Sequence, residues 1–245
     1  MGEATSNEMQ DSPGQSTVTA RTITAHRITG EIALDARNPA PEWASASPIT
    51  FCADWQGQNP DPARQTEVRV LWTPQIFYLR FVCRYRELFV FDDSDPDGRR
   101  DHLWDRDVAE AFLQPDPSYP RHYKEFEVSP NGMWIDLDIV RENVRSNEAP
   151  CNELSRDSAP AGPRNLRSGQ ARSVRLNQEQ HIWTAELAIP MKALTANLDP
   201  SAGWRANFYR VEGKHEPRFY SAWQPTKTPQ PNFHVPEAFG HLLFI

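Results

Sequence analysis

The residues with the clearest chemical potential lie in one stretch, Arg100–Gln114 (RDHLWDRDVAEAFLQ). In it a tryptophan, Trp104, stands among charged residues and is followed by a mostly apolar segment, Val108–Leu113. Because side chains alternate between the two faces of a strand, Glu110 and Phe112 are expected on the same face. A buried carboxylate needs a partner or a ligand. The stretch therefore predicts the floor and wall of a binding site.

Two later segments, His122–Ser129 and Met133–Ile139, are predicted to be strands that bring further carboxylates beside Glu110. We expect one face of these three strands to combine aromatic rings with acids. The expected members of this acidic face are Glu110, Tyr123, Glu125, Glu127, Trp134, Asp136 and Asp138. Like charges on adjacent strands repel one another. Arginines, a cation or a hydroxyl-rich ligand are therefore expected to balance the face.

Two hydrogen-bond donors, Arg205 and Asn207, share a face of the predicted strand Gly203–Val211. They can donate to hydroxyl groups of a ligand or balance the acidic face. The pair Glu110 and Glu125 is also compatible with an enzyme, because glycoside hydrolysis uses two carboxyl groups that are either about 5–5.5 Å or about 6.5–9.5 Å apart. No nucleophile motif accompanies that pair in the sequence.

The composition indicates a polar, mildly acidic protein with a substantial core. The 245 residues are 38% apolar, include eight tryptophans and carry a formal net charge of −7. Binding to nucleic acid usually needs a basic surface, so we expect no nucleic-acid partner. No apolar run approaches the about 20 residues of a membrane helix, so no membrane partner is expected either. The N-terminus lacks the basic and apolar regions of a secretion signal, which at face value predicts a cytoplasmic protein.

The three cysteines, Cys52, Cys83 and Cys151, have no CxxC spacing, so a zinc site is not expected. The sequence is compatible both with a disulfide between Cys52 and Cys83 and with two free thiols. The acidic segment Glu87–Arg100 indicates either a solvated loop or a calcium site, because hard cations bind several oxygen ligands.

The organisation of the chain predicts an all-β fold. Residues 1–21 are polar and aperiodic, and we expect a disordered tail. Residues 22–245 contain ten or eleven short strand patterns, with the hairpin Thr66–Trp72 and Ile76–Arg84 at their centre and a polar surface loop at Val140–Ala171. So many strands with regular turn signals favour one domain, a two-sheet antiparallel β-sandwich.

Five phrases in order resemble carbohydrate-binding module family 9, and more closely its stand-alone bacterial relatives. They are the TEVRVLW–IFYLRF hairpin, RDHLWDRDVAEAFLQP, YKEFEVSPNG, the WTAELAIP–WRANFYR pair and FHVPEAFGHLLF. The resemblance implies a non-catalytic, monomeric sandwich related to DOMON domains, with structural calcium and no organic cofactor. It also implies binding of a mono- or oligosaccharide between two aromatic rings, and an extracellular or periplasmic location.

The resemblance assigns roles to individual residues. Trp104 matches the first ring and Glu110 its hydrogen-bonding carboxylate. Phe233 or His234 stands where the family has its second ring, and Asn232 is the neighbouring amide. Because DOMON relatives include haem carriers, haem binding is a further alternative. Haem needs two axial ligands, and Met133 faces inward, but no local pattern places a histidine opposite it as the second ligand.

Overall fold

The computed structural model describes residues 21–93, 98–140 and 162–245. The predicted tail, apart from Arg21, lies outside these residues, as do Cys151 and the centre of the acidic segment. Disorder of the tail and the single-domain boundary at residue 22 therefore stay predictions.

The described part of the chain contains thirteen strands, one short α-helix, α1, at Met191–Leu194, and several 3-10 turns of three or four residues. The first seven strands are β1 (Thr22–Arg27), β2 (Ile49–Phe51), β3 (Thr66–Trp72), β4 (Ile76–Arg84), β5 (Val108–Gln114), β6 (His122–Val128) and β7 (Trp134–Val140). The other six are β8 (Gly162–Asn165), β9 (Ala171–Asn177), β10 (Ile182–Pro190), β11 (Trp204–Glu212), β12 (Phe219–Ala222) and β13 (Gly240–Phe244). The all-β prediction is confirmed.

Eleven of these strands follow one another in a continuous, curled sheet with the order β8-β7-β6-β5-β11-β13-β1-β3-β4-β10-β9, while β12 pairs with β11 and β2 pairs with β3. Strand β1 joins its two halves, because Thr22–Ala25 pair with β13 whereas His26 and Arg27 pair with β3. Both pairings are parallel. The prediction of purely antiparallel strands is therefore wrong at β1, which changes partner along its length.

The main core lies between the two halves of the curled sheet. The ring of Phe81 on β4 meets Phe208 on β11 at 6.2 Å, and Phe77 stacks on Trp204 at 6.1 Å. Burial of one such ring contributes roughly 1.5–3 kcal/mol. Trp72, Trp183 and Trp204 are all buried in this core, as their strand patterns predict.

A second apolar cluster covers the opposite face of β5, β6, β7 and β11. On β5 the small residues Ala109 and Ala111 face the main core, while Phe112 joins the second cluster. Because Glu110 is two residues from Phe112, it lies on the same outer face. This half of the sheet therefore buries side chains on both faces, and its outer face carries the candidate site.

The acidic face differs from the prediction at β7. The register pairs Glu125 with Leu137 and Glu127 with Ile135, so these two apolar residues share the face of the glutamates. Asp136 lies on the other face, where it accepts hydrogen bonds from the backbone N–H groups of Arg167 and Ser168. A one-residue difference in register exchanges the two faces of a strand. The predicted placement of Trp134, Asp136 and Asp138 beside Glu110 is therefore wrong.

Part of the predicted surface loop is a strand. Residues 162–165 form β8 and pair with β7, whereas residues 141–161 lie outside the described part of the chain. Cys52 and Cys83 are free thiols, and burial raises the pKa of Cys83 to about 11. Among the described residues, no helix has the length and apolar character needed to cross a membrane.

Candidate functional site

An open cavity of about 620 Å³ lies on the outer face of β5, β6, β7 and β11. Its volume is in the range typical of small-molecule sites. Of the residues predicted from sequence, six line it: Trp104, Glu110, Glu125, Asn232, Phe233 and His234. The other lining residues are Phe89, Asp105, Arg106, Phe112, Leu137, Ile139, Pro163, Val211, Lys214, Glu216, Arg218, Tyr220 and Pro231.

Trp104 forms part of the cavity wall, in a short 3-10 turn that spans Leu103–Asp105. Leu103 is completely buried and anchors the turn, whereas Trp104 is 36% exposed. The backbone carbonyl of Trp104 accepts a hydrogen bond from Nη1 of Arg218 at 2.9 Å. The turn is thus fixed on its inner side, and part of the indole is left open to contact a ligand.

Three glutamates meet beneath the cavity. Cross-strand pairing sets Glu110 opposite Glu127 and Phe112 opposite Glu125. Glu110 and Glu125 are each 3% exposed, and Glu127 is fully buried. Burial and the nearby charge of Glu125 raise the pKa of Glu110 well above its usual value. Burial, followed by repulsion from Glu110 and Glu125, raises the pKa of Glu127 in the same direction. The cluster therefore favours protonated carboxyl groups.

A buried ion pair, Asp107 and Arg218, supports one side of the cavity. Nη2 of Arg218 lies 3.6 Å from Oδ1 of Asp107, and its Nε donates to the carbonyl of Gly213 at 2.8 Å. Asp107 also accepts hydrogen bonds from the backbone N–H groups of Phe89 and Gly213, at 3.0 and 2.9 Å. One fully buried carboxylate thus joins three chain segments that contribute to the wall.

The segment before β13 contributes Asn232, Phe233 and His234. The ring of Phe233 stacks on Tyr209 at 4.2 Å and is 9% exposed, so most of its surface is already covered. His234 is more open, and its Nδ1 lies 2.8 Å from the hydroxyl of Tyr123 and 4.0 Å from Oε2 of Glu125. The side-chain oxygen of Asn232 accepts the backbone N–H of His234, which fixes the turn.

Three predicted site residues lie outside the cavity lining. Tyr123 packs beneath it, with its ring stacked on Phe112 at 5.5 Å, and reaches the site through His234. Asn207 is buried and donates to Tyr209 and to the carbonyl of Gln224. Arg205 donates to the carbonyls of Glu237 and Phe239 and balances no carboxylate of the cavity. Both donors complete backbone and core contacts instead of pointing to the site.

The sequence interpretation missed Phe112, Tyr220 and Arg218 as lining residues. Phe112 was detectable, because its alternation with Glu110 already places the two on one face. Tyr220 contacts Phe233 edge to face at 6.2 Å, and Arg218 reaches Asp107 across 111 positions of sequence. Only the pairing of β12 with β11 brings these two residues to the cavity, so no local pattern signals them.

Within the described ranges, no group of three or more His, Cys, Asp or Glu side chains is arranged to hold a metal ion. Of the acidic segment, Asp93 pairs with Arg100 at 2.9 Å, while residues 94–97 lie outside the described part. The calcium expectation therefore stays a prediction.

Comparisons with known proteins agree with this architecture. A relative from Arthroderma benhamiae named "Extracellular protein" is 27% identical over 201 residues, which cover 80% of this chain and 85% of that protein. A solved protein from Bacteroides uniformis, proposed to bind carbohydrate, aligns with a TM-score of 0.64 and 16% identity over 92% of this chain and 99% of its own.

Two further structures are of a family 9 carbohydrate-binding module from Caldicellulosiruptor kristjanssonii, one with cellotriose and one with glucose. Each aligns with a TM-score of 0.55 and 12% identity over 91% of this chain, and over 93% and 95% of the respective modules. The sequence profile of carbohydrate-binding family 9 matches residues 62–244, about three quarters of the chain. This protein therefore belongs to carbohydrate-binding family 9.

Proposed function

We propose that the protein binds a mono- or oligosaccharide in the cavity and does not cleave it. The observation that carries the proposal is the combination of the partly exposed Trp104 with the buried carboxyl of Glu110 in one cavity. A pyranose ring has apolar C–H surfaces and a rim of hydroxyl groups. Such a ligand needs a flat apolar platform and directional polar partners at the same time.

Trp104 serves as the stacking platform. Its turn is anchored by the buried Leu103 and by the hydrogen bond from Arg218, so little conformational freedom is lost when a ligand arrives. Tyr220 is the best-placed second ring, because Phe233 is largely covered by its stacking on Tyr209. Tyr220 replaces Phe233 or His234 in that role, and Phe112 forms part of the apolar floor.

Glu110 and Glu125 supply the polar partners from the floor. A protonated carboxyl both donates and accepts a hydrogen bond, which matches the dual character of a sugar hydroxyl. His234 and Asn232 contribute ring nitrogen and amide groups at the rim, and Tyr123 orients His234 through their 2.8 Å contact. The cavity thus offers hydrogen bonds on one side of the sugar and an aromatic surface on another.

The solved complexes of the related module with cellotriose and glucose support a saccharide with a glucose-like ring. The name of the Arthroderma benhamiae relative supports an extracellular site of action. Both points come from other proteins, and the two complexes indicate that glucose-type sugars should be tested first.

Calorimetric titration of the purified protein with cellobiose and cellotriose tests this function. We expect saturable binding with one site per chain, and chromatography of the mixture after prolonged incubation should recover each sugar unchanged. Release of shorter sugars would show that the protein is an enzyme. The absence of binding across a panel of glucose-, mannose- and galactose-type sugars would refute saccharide binding.

A further inference from the structure

The charges around the cavity are unevenly compensated. Arg218 is held by Asp107 at 3.6 Å, and Arg106 lies over the ring of Phe89 at 4.1 Å with its Nη1 bonded to a backbone carbonyl. Arg106 is thus engaged away from the floor, whereas the charge of Arg218 still favours the ionised form of Glu110 and only partly offsets burial and the charge of Glu125. The glutamate cluster beneath the cavity, Glu110, Glu125 and Glu127, brings three carboxyl groups together.

Glu110 is the member of this cluster that points to a ligand. It lines the cavity although it is 97% buried as a whole, and no donor among the described residues hydrogen bonds to its carboxyl. A largely buried polar group without a hydrogen-bond partner is costly, and a ligand that supplies the partner removes that cost. A neutral sugar hydroxyl would satisfy its hydrogen bond but would not stabilise the ionised form of Glu110, which burial and the charge of Glu125 disfavour.

We propose that the cavity prefers a saccharide that carries a free ammonium group, as in a 2-amino-2-deoxy sugar, with the ammonium directed at Glu110. This inference rests on the proposed saccharide binding in the same cavity. An ammonium donates three hydrogen bonds and carries a positive charge that favours the ionised form of Glu110. Opposite charges attract more strongly in a partly desolvated site than in water, so the preference is expected to be substantial.

The aromatic lining favours the same ligand. The face of a Trp ring attracts cations, and the cavity exposes part of Trp104, whereas the guanidinium of Arg218 already lies over the ring of Tyr220 at 6.0 Å. Phe89 does not take this role, because the guanidinium of Arg106 already covers its ring. An ammonium near the floor can therefore be held by a carboxylate while rings contact the rest of the sugar.

Binding of such a cation should release a proton. Burial and Glu125 favour the protonated form of Glu110 in the free protein, and an ammonium stabilises the carboxylate, so the carboxyl proton passes to the buffer. The charged or titratable groups that face Glu110 or line the cavity are Asp105, Arg106, Tyr123, Glu125, Glu127, Tyr209, Lys214, Glu216, Arg218 and His234. The affinity for an ammonium sugar should therefore rise with pH for as long as the amine stays protonated.

The test compares three β-1,4-linked disaccharides that differ at carbon 2: cellobiose with hydroxyls, the glucosamine disaccharide with ammonium groups, and its N-acetylated form. Titration of the full chain at pH 6.5 should show the glucosamine disaccharide binding at least tenfold more tightly than cellobiose. Repeating the titrations in buffers with different ionisation enthalpies measures proton release. The apparent binding enthalpy of the glucosamine disaccharide should vary with the ionisation enthalpy of the buffer, and that of cellobiose should vary much less.

Glu110→Gln keeps the size of the side chain and removes its charge. Because Glu110 is also a polar partner of neutral sugars in the proposed site, we expect this variant to bind all three disaccharides more weakly, and the ratio of its affinities for the glucosamine disaccharide and for cellobiose to fall from at least tenfold to about one. Glu179→Gln, an exposed change in the β9–β10 turn, is the matched control and should retain the preference. Near-equal binding of the three ligands, or a preference that survives in Glu110→Gln, would overturn the inference and leave the proposed function standing. Failure of all three sugars to bind would count against both.

Discussion

Asp107 joins several segments of the cavity wall, and its removal gives a measurable prediction. Its side chain is fully buried and accepts hydrogen bonds from the backbone N–H groups of Phe89 and Gly213 while it faces Arg218 at 3.6 Å. Asp107→Ala would leave two backbone donors unpaired and one guanidinium without its counter-ion. We therefore expect a large loss of stability.

The expected magnitude follows from the cost of an uncompensated buried charge. Breaking a buried pair by removing one partner costs about 3–5 kcal/mol. For a chain of this size, 1 kcal/mol shifts the melting temperature by about 2–4 °C, so Asp107→Ala should melt roughly 6–20 °C below wild type. Differential scanning calorimetry at neutral pH measures this shift. Asp105→Ala, an exposed acid two residues away, is the matched control and should change stability by no more than about 0.5 kcal/mol.

The double variant Asp107→Ala with Arg218→Met distinguishes the pair from simple side-chain loss. Removing both charges eliminates the uncompensated guanidinium, so the double variant should be more stable than the sum of the single changes predicts. The reasoning would be refuted by an Asp107→Ala protein that melts within about 3 °C of wild type. It would also be refuted by strictly additive effects in the double variant.

Two further predictions concern protons and calcium. Burial and neighbouring glutamates raise the pKa of Glu127 in the folded protein above its usual value of 4.5. The protonated side chain therefore contributes stability that is fully present below pH 4.5. This contribution is lost as the pH rises through the raised pKa. Glu127→Gln should therefore melt higher than wild type at pH 7, and this difference should shrink towards pH 4.5; a constant difference would contradict the assignment. If calcium stabilises the fold, a chelator should lower the melting temperature and added calcium should restore it, because a ligand of the native state stabilises by mass action. An unchanged melting curve in both conditions would remove calcium from the account.

Much of the fold could be predicted from alternation. The hairpin of β3 and β4, the two faces of β5 and the core tryptophans follow from patterns within single strands. The assignment failed at β7, because this half of the sheet is covered on both sides: Ile135 joins the outer cluster and Asp136 is bonded by the segment after β8. A pattern of apolar and polar residues cannot show which of two buried faces an apolar residue occupies.

The site could be predicted only where its residues are close in sequence or carry a family motif. Trp104 and Glu110 belong to one stretch, and Asn232 and His234 to another. Arg218 and Tyr220 depend on the pairing of β12 with β11, and the contact between Asp107 and Arg218 joins residues that are 111 positions apart in sequence. Arg205 was assigned from its donor chemistry alone, and its carbonyl partners at Glu237 and Phe239 become evident only in three dimensions.

The affinity of Trp104→Ala for cellobiose tests the central claim most directly. Because the indole is 36% exposed, its removal should leave the melting temperature within a few degrees of wild type. An aromatic anchor contributes about 2 kcal/mol or more to binding, which corresponds to a loss of affinity of about thirtyfold or more. Trp134→Ala, which changes a partly exposed tryptophan on the other face of β7, should bind cellobiose as wild type does. Unchanged affinity in a folded Trp104→Ala protein, or loss of binding in Trp134→Ala instead, would contradict the account.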